Sequence, residues 1–360
     1  MTSSAPARSA TEHEEVRPGS RAAGHLMTML LGAMVTKCVY AAAELELADL
    51  LAGRPLTSAE MAEQIGADGP SLRRLLLALA GVGIVAQIGP DHFELTDLGQ
   101  PLRKDAPGSV SGLMRMMCGP EVWRSWGELV SSVRTGEPGW DLAHGMSWTG
   151  FYERNPEAAA TFNLAMAEQT RDTAPGILAA ADLSRFRSVV DVGGGDGTFM
   201  AYLLQAHPDM AGVVFDVPAG GAAATATLTA AGVAPRCRVV SGDFFVSVPA
   251  GADAYLLKQV LHDWNEEQAT AILRNVRAAI PPGGRVFVLE RTLPERVTAG
   301  NSAGVPSLLL DIHMLVATGG QERTEREYRR LLDDAGFELT RSTEPIPPFG
   351  FQVIEAGPAR

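Results

Sequence analysis

Ser188-Val189-Val190-Asp191-Val192-Gly193-Gly194-Gly195-Asp196-Gly197-Thr198 decides the architecture. A β-branched run enters a glycine loop, and an apolar helical stretch leaves it as far as Ala206. Strand, loop, helix is the opening of a doubly wound sheet, with ligands at the carboxyl ends of its strands. A glycine loop alone is a weak signal, and its acids say more. Asp191 ends the strand and Asp196 sits inside the loop. A pyrophosphate at the helix N-terminus would face two carboxylates, an unfavourable arrangement. S-adenosyl-L-methionine has no phosphate; its ammonium, sulfonium and ribose suit carboxylates. Gly193 and Gly195 would let the backbone approach such a ligand closely.

Downstream, strands and helices alternate. Gly212–Asp216, Cys237–Ser241, Ala254–Leu257 and Arg285–Leu289 read as strands, and Glu266–Ala279 as a helix. Residues 186–360 therefore form an α/β domain with a parallel sheet. Asp216 ends the second strand, where an acid accepts hydrogen bonds from ribose hydroxyls; the alternative is a turn or cap residue. Asp243, after the third strand, can reach an adenine amino group, and Phe244 can cover its ring.

Upstream of the sheet the chain reads as helical. Thr57 and Glu60 form a capping box for a helix that stops at Gly66. A second helix runs from Leu72 to Val82, followed by two short strands, Ile84–Gln87 and His92–Leu95. Helix, turn, helix and two-stranded wing over residues 20–106 is the winged-helix pattern. Its acids Glu60, Glu63 and Asp68 oppose Arg73 and Arg74, so it lacks the basic face that DNA demands and reads instead as a dimerisation module. Leu26–Leu51 is apolar but holds Lys37, Glu44, Glu46 and Asp49, which argues for a buried helix pair rather than a membrane span. Residues 1–19 read as a disordered tail without the apolar core of a signal peptide. Residues 107–185 are a helical segment rich in Met, Trp and Phe, suited to walling a pocket for a flat apolar ligand.

These motifs, in this order, resemble the small-molecule O-methyltransferases that act on plant phenolics and bacterial antibiotic scaffolds. The resemblance rests on DVGGGDG from Asp191, FDVP from Phe215, GDFF from Gly242, LLKQVLHDWNEEQ from Leu256 and GGQERT from Gly319, and spans nearly the whole chain after the tail. It implies a class I methyltransferase sheet behind a winged-helix dimerisation domain, a homodimer, and S-adenosyl-L-methionine as cofactor. It implies cofactor contacts at Gly193, Asp216, Asp243, Phe244 and Lys258. The segment after Asp216, PAGGAAATATLTAAG, departs from the family in its poverty of charge.

The resemblance also makes His262 a general base that takes the proton of an acceptor hydroxyl, with Glu290 and Glu322 holding its ring. Read alone, Glu322 could instead cap the helix that follows it. Phe162, Met166, Asp263, His313 and Met314 fall at positions implied to meet the acceptor, a small aromatic metabolite such as a polyketide, quinone or phenol. Some members of the family have changed reaction to hydroxylation or cyclisation, which is the competing reading.

Bulk properties agree. A net charge of -12 opposes nucleic acid as a partner. The chain's 3 cysteines, Cys38, Cys118 and Cys237, lack ligand spacing; they read as thiols of the reducing cytoplasm and not as a metal site.

Overall fold

The computed structural model describes residues 18–299, 304–347 and 349–359, with side chains from residue 22 onward. The described chain divides after Gly99 into two compact units. Residues 1–17 of the expected tail lie outside the described residues, and its last two positions, Pro18 and Gly19, already open the first helix.

The first unit contains α1 (Pro18–Glu44), α2 (Leu47–Leu50), β1 (Leu56–Thr57), α3 (Ser58–Ile65), α4 (Gly69–Gly81), β2 (Val85–Gln87) and β3 (His92–Leu95). Thr57 caps α3 reciprocally. Its hydroxyl accepts the Glu60 N–H at 3.1 Å, while Glu60 accepts the Thr57 N–H at 2.7 Å. α3 stops at Gly66, which takes the left-handed φ of 66°. α4 starts three residues before the expected Leu72, because Asp68 caps it and Pro70 fits its first turn. β3 pairs antiparallel with both β2 and β1, so the expected two-stranded wing has a third strand.

The expected burial of Leu26–Leu51 holds only for its second half. Ala42, Ala43, Leu47, Ala48 and Leu51 are buried, whereas Leu26, Met29 and Met34 are each at least 60% exposed. Met27, Leu30 and Leu31 are exposed as well, so the apolar positions run around α1 rather than along one stripe. Nothing described in this unit covers them. By length and composition alone, Ala22–Glu44 could cross a membrane.

In the second unit, six helices precede the sheet: α5 (Ser111–Cys118), α6 (Pro120–Gly127), α7 (Leu129–Thr135), α8 (Gly139–His144), α9 (Trp148–Arg154) and α10 (Pro156–Ala180). Then come β4 (Ser188–Val192), α11 (Thr198–Ala206), β5 (Ala211–Asp216), α12 (Ala224–Ala230), β6 (Cys237–Ser241) and β7 (Ala254–Lys258). They are followed by α13 (Glu266–Ala279), β8 (Arg285–Leu293), α14 (Val305–Ala317), β9 (Arg323–Thr324), α15 (Glu325–Asp334), β10 (Phe337–Ser342) and β11 (Phe351–Pro358). The strand order is β10-β11-β8-β7-β4-β5-β6, with β9 beside the end of β8.

β6, β5, β4, β7 and β8 are parallel, as expected of βαβ units. Beyond this parallel core the sheet is mixed: β11 is antiparallel to β8 and to β10. The short link from β10 to β11 leaves no room for a crossover helix, so the terminal hairpin can only add antiparallel. Apolar clusters cover both faces of the sheet, one around Leu257, Ile272 and Leu331, the other around Phe199, Leu256 and Phe287. The order reverses at β4, which places the glycine loop after β4 and the segment after β7 at one carboxyl edge.

Candidate active site

Three glycines of the loop, Gly193, Gly195 and Gly197, adopt φ of 73°, 54° and 76°, values that side chains resist. A Cβ on Gly193 would lie 2.7 Å from Val260 Cγ2, whereas one on Gly195 would meet nothing within 4 Å. The loop therefore packs against the segment after β7 on one side and faces open space on the other. Asp216 spans it: one carboxylate oxygen accepts the Gly195 N–H at 2.8 Å and the other accepts the Val217 N–H at 2.7 Å. Burial raises the Asp216 pKa despite these bonds. Asp191 is buried and pushed up to about 7 by that burial, with Lys258 opposing the rise. Lys258 is drawn down to about 8 by its own burial, with Asp191 opposing that fall. Its ammonium donates to Thr170 Oγ1 at 3.1 Å and to Gln259 Oε1 at 2.7 Å. Asp243 is exposed and accepts the Phe245 N–H at 2.8 Å, and Phe244 stands edge-on to Phe245 and Trp264. Carboxylates around open space beside glycines fit a cationic ligand with a ribose better than a pyrophosphate.

Gln259 turns the chain sharply after β7, with a left-handed φ of 54° in a non-glycine residue. A single 3-10 turn, Leu261–Asp263, follows and carries His262. Glu290 holds the start of this turn, where one of its oxygens accepts the N–H groups of Val260, Leu261 and His262 at 2.9, 3.0 and 3.4 Å. Glu322 takes the ring: His262 Nδ1 faces Glu322 Oε1 at 3.1 Å, with the second Glu290 oxygen at 3.6 Å. The two carboxylates that the resemblance paired as orienters thus have different tasks. Glu290 also lies inside β8 rather than at its end. Glu322 does not cap α15, since Thr324 and Glu327 form that capping box.

Burial pulls the His262 pKa down, but the carboxylates of Glu290, Glu322 and Asp263 outweigh it and raise it to about 10. Glu290 rises to about 7 through burial, against the pull of His262. His262 Nε2 is left toward Asp263, whose Oδ1 is 3.8 Å away. Donor atoms of His262, Glu290 and Glu322 lie within 4.8 Å of one another, a spacing a metal ion could use. His262 Nδ1 and Glu322 Oε1 are engaged with each other and Glu290 Oε1 with the backbone, while Glu290 Oε2 and Glu322 Oε2 make no hydrogen bond among the described residues.

Arg323 and Gly320 complete the turn; neither is among the site residues expected from the sequence, and the one local hint is that Arg323 adjoins Glu322. Buried Arg323 donates to the carbonyls of Leu261 and Trp264, both at 2.8 Å, on either side of His262. The Gln321 N–H donates to the His262 carbonyl at 2.8 Å. Gly320 lies so close that a Cβ there would be 2.0 Å from that carbonyl oxygen.

On the acceptor side, His313 and Met314 are buried in α14, and Trp126 Nε1 donates to His313 Nδ1 at 3.2 Å. α14 is tied to the histidine cluster where Asp311 accepts the Glu322 N–H at 2.9 Å. Phe162 belongs to an aromatic group with Tyr152 and Trp148, at centroid distances of 5.0 and 6.1 Å. Met166 is partly buried in α10, four residues before Thr170, the partner of Lys258.

Residues 126–338 match the O-methyltransferase domain, and residues 27–105 match the O-methyltransferase dimerisation domain. The chain is 40% identical to O-demethylpuromycin-O-methyltransferase of Streptomyces alboniger, covering 97% of this chain and 93% of that protein. It is 37% identical to 8-amino-8-demethylriboflavin N,N-dimethyltransferase of Streptomyces davaonensis, covering 91% and 93%. Among solved structures it is similar to an O-methyltransferase from neocarzinostatin biosynthesis, in complex with S-adenosylmethionine and 2-hydroxy-5-methyl naphthoic acid. That match has a TM-score of 0.76 at 34% identity and covers 90% of this chain and 95% of the other. Sequence, strand order and the two matched regions agree: this chain belongs to the O-methyltransferase family with an N-terminal dimerisation domain.

Proposed function

We propose that this enzyme transfers a methyl group from S-adenosyl-L-methionine to a hydroxyl of a small aromatic metabolite, with His262 as general base. The observation that carries the reading is the buried 3.1 Å contact of His262 Nδ1 with Glu322, at the same sheet edge as the glycine loop. The cofactor supplies an electrophilic methyl group on a sulfonium, already a good leaving group. What remains for the protein is an aligned, deprotonated oxygen. With Nδ1–H donated to Glu322, the Nε2 lone pair is the one available to the acceptor hydroxyl. Glu290 and Arg323 fix the backbone on which that nitrogen is carried. A phenol has a pKa of about 10, and the carboxylates that raise the histidine make its neutral ring a stronger acceptor for that proton. Incubation with labelled cofactor and a panel of phenols and aromatic amines, followed by mass analysis, tests the reaction directly.

The relative that dimethylates an amine keeps N-methylation as a second reading. An aromatic amine attacks through a lone pair before it loses a proton, so it has little use for a base. The His262–Glu322 arrangement favours the hydroxyl.

Asp216 is assigned to the cofactor ribose, with Asp191, Gly193, Gly195, Asp243, Phe244 and Lys258 around the same ligand. Hydrogen bonds to a charged acceptor contribute roughly 1.5–3 kcal/mol. Asp216→Ala should therefore weaken cofactor binding by about ten- to a hundredfold. A folded variant with unchanged affinity in calorimetry would refute this role.

The exposed apolar residues of α1 support an intertwined homodimer working in the cytoplasm, where Cys38, Cys118 and Cys237 would stay as thiols. Removal of residues 1–105 should leave an aggregating or unfolded chain. A soluble, active, monomeric truncation in light scattering would exclude the assembly.

A further inference from the structure

Trp126 and His313 fix the proton of a second buried imidazole. An indole N–H can only donate, so the His313 nitrogen facing it must offer a lone pair. The two rings lie 12° from parallel with centroids 6.2 Å apart. A protonated ring would set one N–H against another, so His313 stays neutral and carries its proton on Nε2. Burial, and after it the charge of His262, push its pKa down to about 4, in the same direction. His313 is 8% exposed, and Nε2 has no hydrogen-bond partner among the described residues. Nε2 is not among the fully buried atoms that lack a partner, so this N–H stays reachable and can donate to a ligand that accepts from it. The tie from α14 through Asp311 and Glu322 to His262 puts this donor on the same cluster as the proposed base.

We propose that His313 is a specificity-determining residue whose Nε2–H donates to a carbonyl oxygen beside the hydroxyl to be methylated, so that the acceptor is an ortho-hydroxy aryl carbonyl. This rests on the methyltransferase reading above. Such acceptors hold their hydroxyl in an internal hydrogen bond to the carbonyl. A donor from His313 competes for that carbonyl, frees the hydroxyl for His262 and stabilises the oxyanion that forms. Trp126 is a positioning residue here, because it sets which nitrogen of His313 carries the proton.

The test is calorimetric binding in the presence of S-adenosylhomocysteine, with ortho-hydroxyacetophenone and ortho-ethylphenol as probes matched in size. The wild type should bind the ketone about tenfold or more tightly than the ethylphenol. His313→Phe should bind both alike, and His313→Gln, which keeps an N–H donor, should retain part of the preference. S-adenosylhomocysteine affinity should be the same in all three proteins. A wild type without preference, or a His313→Phe variant that keeps it, overturns the proposal while leaving the methyltransferase reading intact. If S-adenosylhomocysteine fails to bind the wild type, the methyltransferase reading falls and this proposal with it.

Discussion

Replacement of His262 by alanine is expected to lower kcat by about 10²–10⁴ while leaving cofactor affinity nearly unchanged. In the proposed mechanism the histidine serves proton removal, and no contact proposed for the cofactor runs through its ring. The pH dependence gives the sharper test. The carboxylates of Glu290, Glu322 and Asp263 raise the pKa of His262, so in the free enzyme its protonated form persists to higher pH than in an ordinary histidine. The productive complex holds one proton fewer than an imidazolium beside a neutral phenol, and its population grows as pH rises. Wild-type kcat/KM should therefore climb with pH from neutrality upward. His262→Ala should lie below it at neutral pH and approach it near the acceptor's own pKa, because an ionised phenol needs no base. Two profiles of equal height and shape would mean that proximity and alignment alone carry the reaction. Glu290→Gln should cost less than His262→Ala, since its amide oxygen can still accept from the backbone of the turn.

Gly320→Ala is expected to lower kcat by about a hundredfold although it adds only a methyl group remote from any ligand contact. The new Cβ would sit 2.0 Å from the His262 carbonyl oxygen and 2.4 Å from the Asp263 carbonyl carbon. Both are backbone atoms of a turn whose carbonyls Arg323 and Gln321 hold, so it cannot yield by rotating a side chain. It must move as a unit, and displacement by about 1 Å is enough for a loss of that order. Overpacking should also reduce stability by about 1–3 kcal/mol. Thermal melting and kcat, measured beside Gly283→Ala, check both effects; a Cβ at Gly283 would meet nothing within 4 Å. A Gly320→Ala enzyme with wild-type kcat would show that the placement of His262 does not limit the rate.

Legibility followed the range of the interaction. β4, α11, β6 and α13 have the bounds read from the sequence, because apolar period, glycines and caps are local signals. β8 runs four residues past the expected Leu289. Glu290, Arg291 and Thr292 interrupt its apolar run, yet β11 and β9 pair with that stretch and keep it extended. β10 and β11 lie outside the strands expected from the sequence; β10 is largely polar and follows the single turn residue Gly336 rather than a glycine-rich loop. Within the site, the pairing of His262 with Glu322 was accessible only through the resemblance, since sixty residues separate them. The Trp126–His313 bond, across 187 residues, leaves no trace in local pattern. Arg323 had a weak signal, being adjacent to Glu322, but its target is backbone carbonyl, which no side-chain motif encodes.

The uncovered first half of α1 bears on how the enzyme comes into being. If those side chains leave water only when a second chain arrives, the last step of folding is bimolecular. Its yield then follows protein concentration, and dilution alone should lower the melting temperature. A cell making few copies would hold a larger share of half-finished chains, each showing Leu26, Met29 and Met34 to chaperones and proteases. Abundance of active enzyme would then rise more steeply than synthesis, so expression level acts as a threshold on the pathway the enzyme serves.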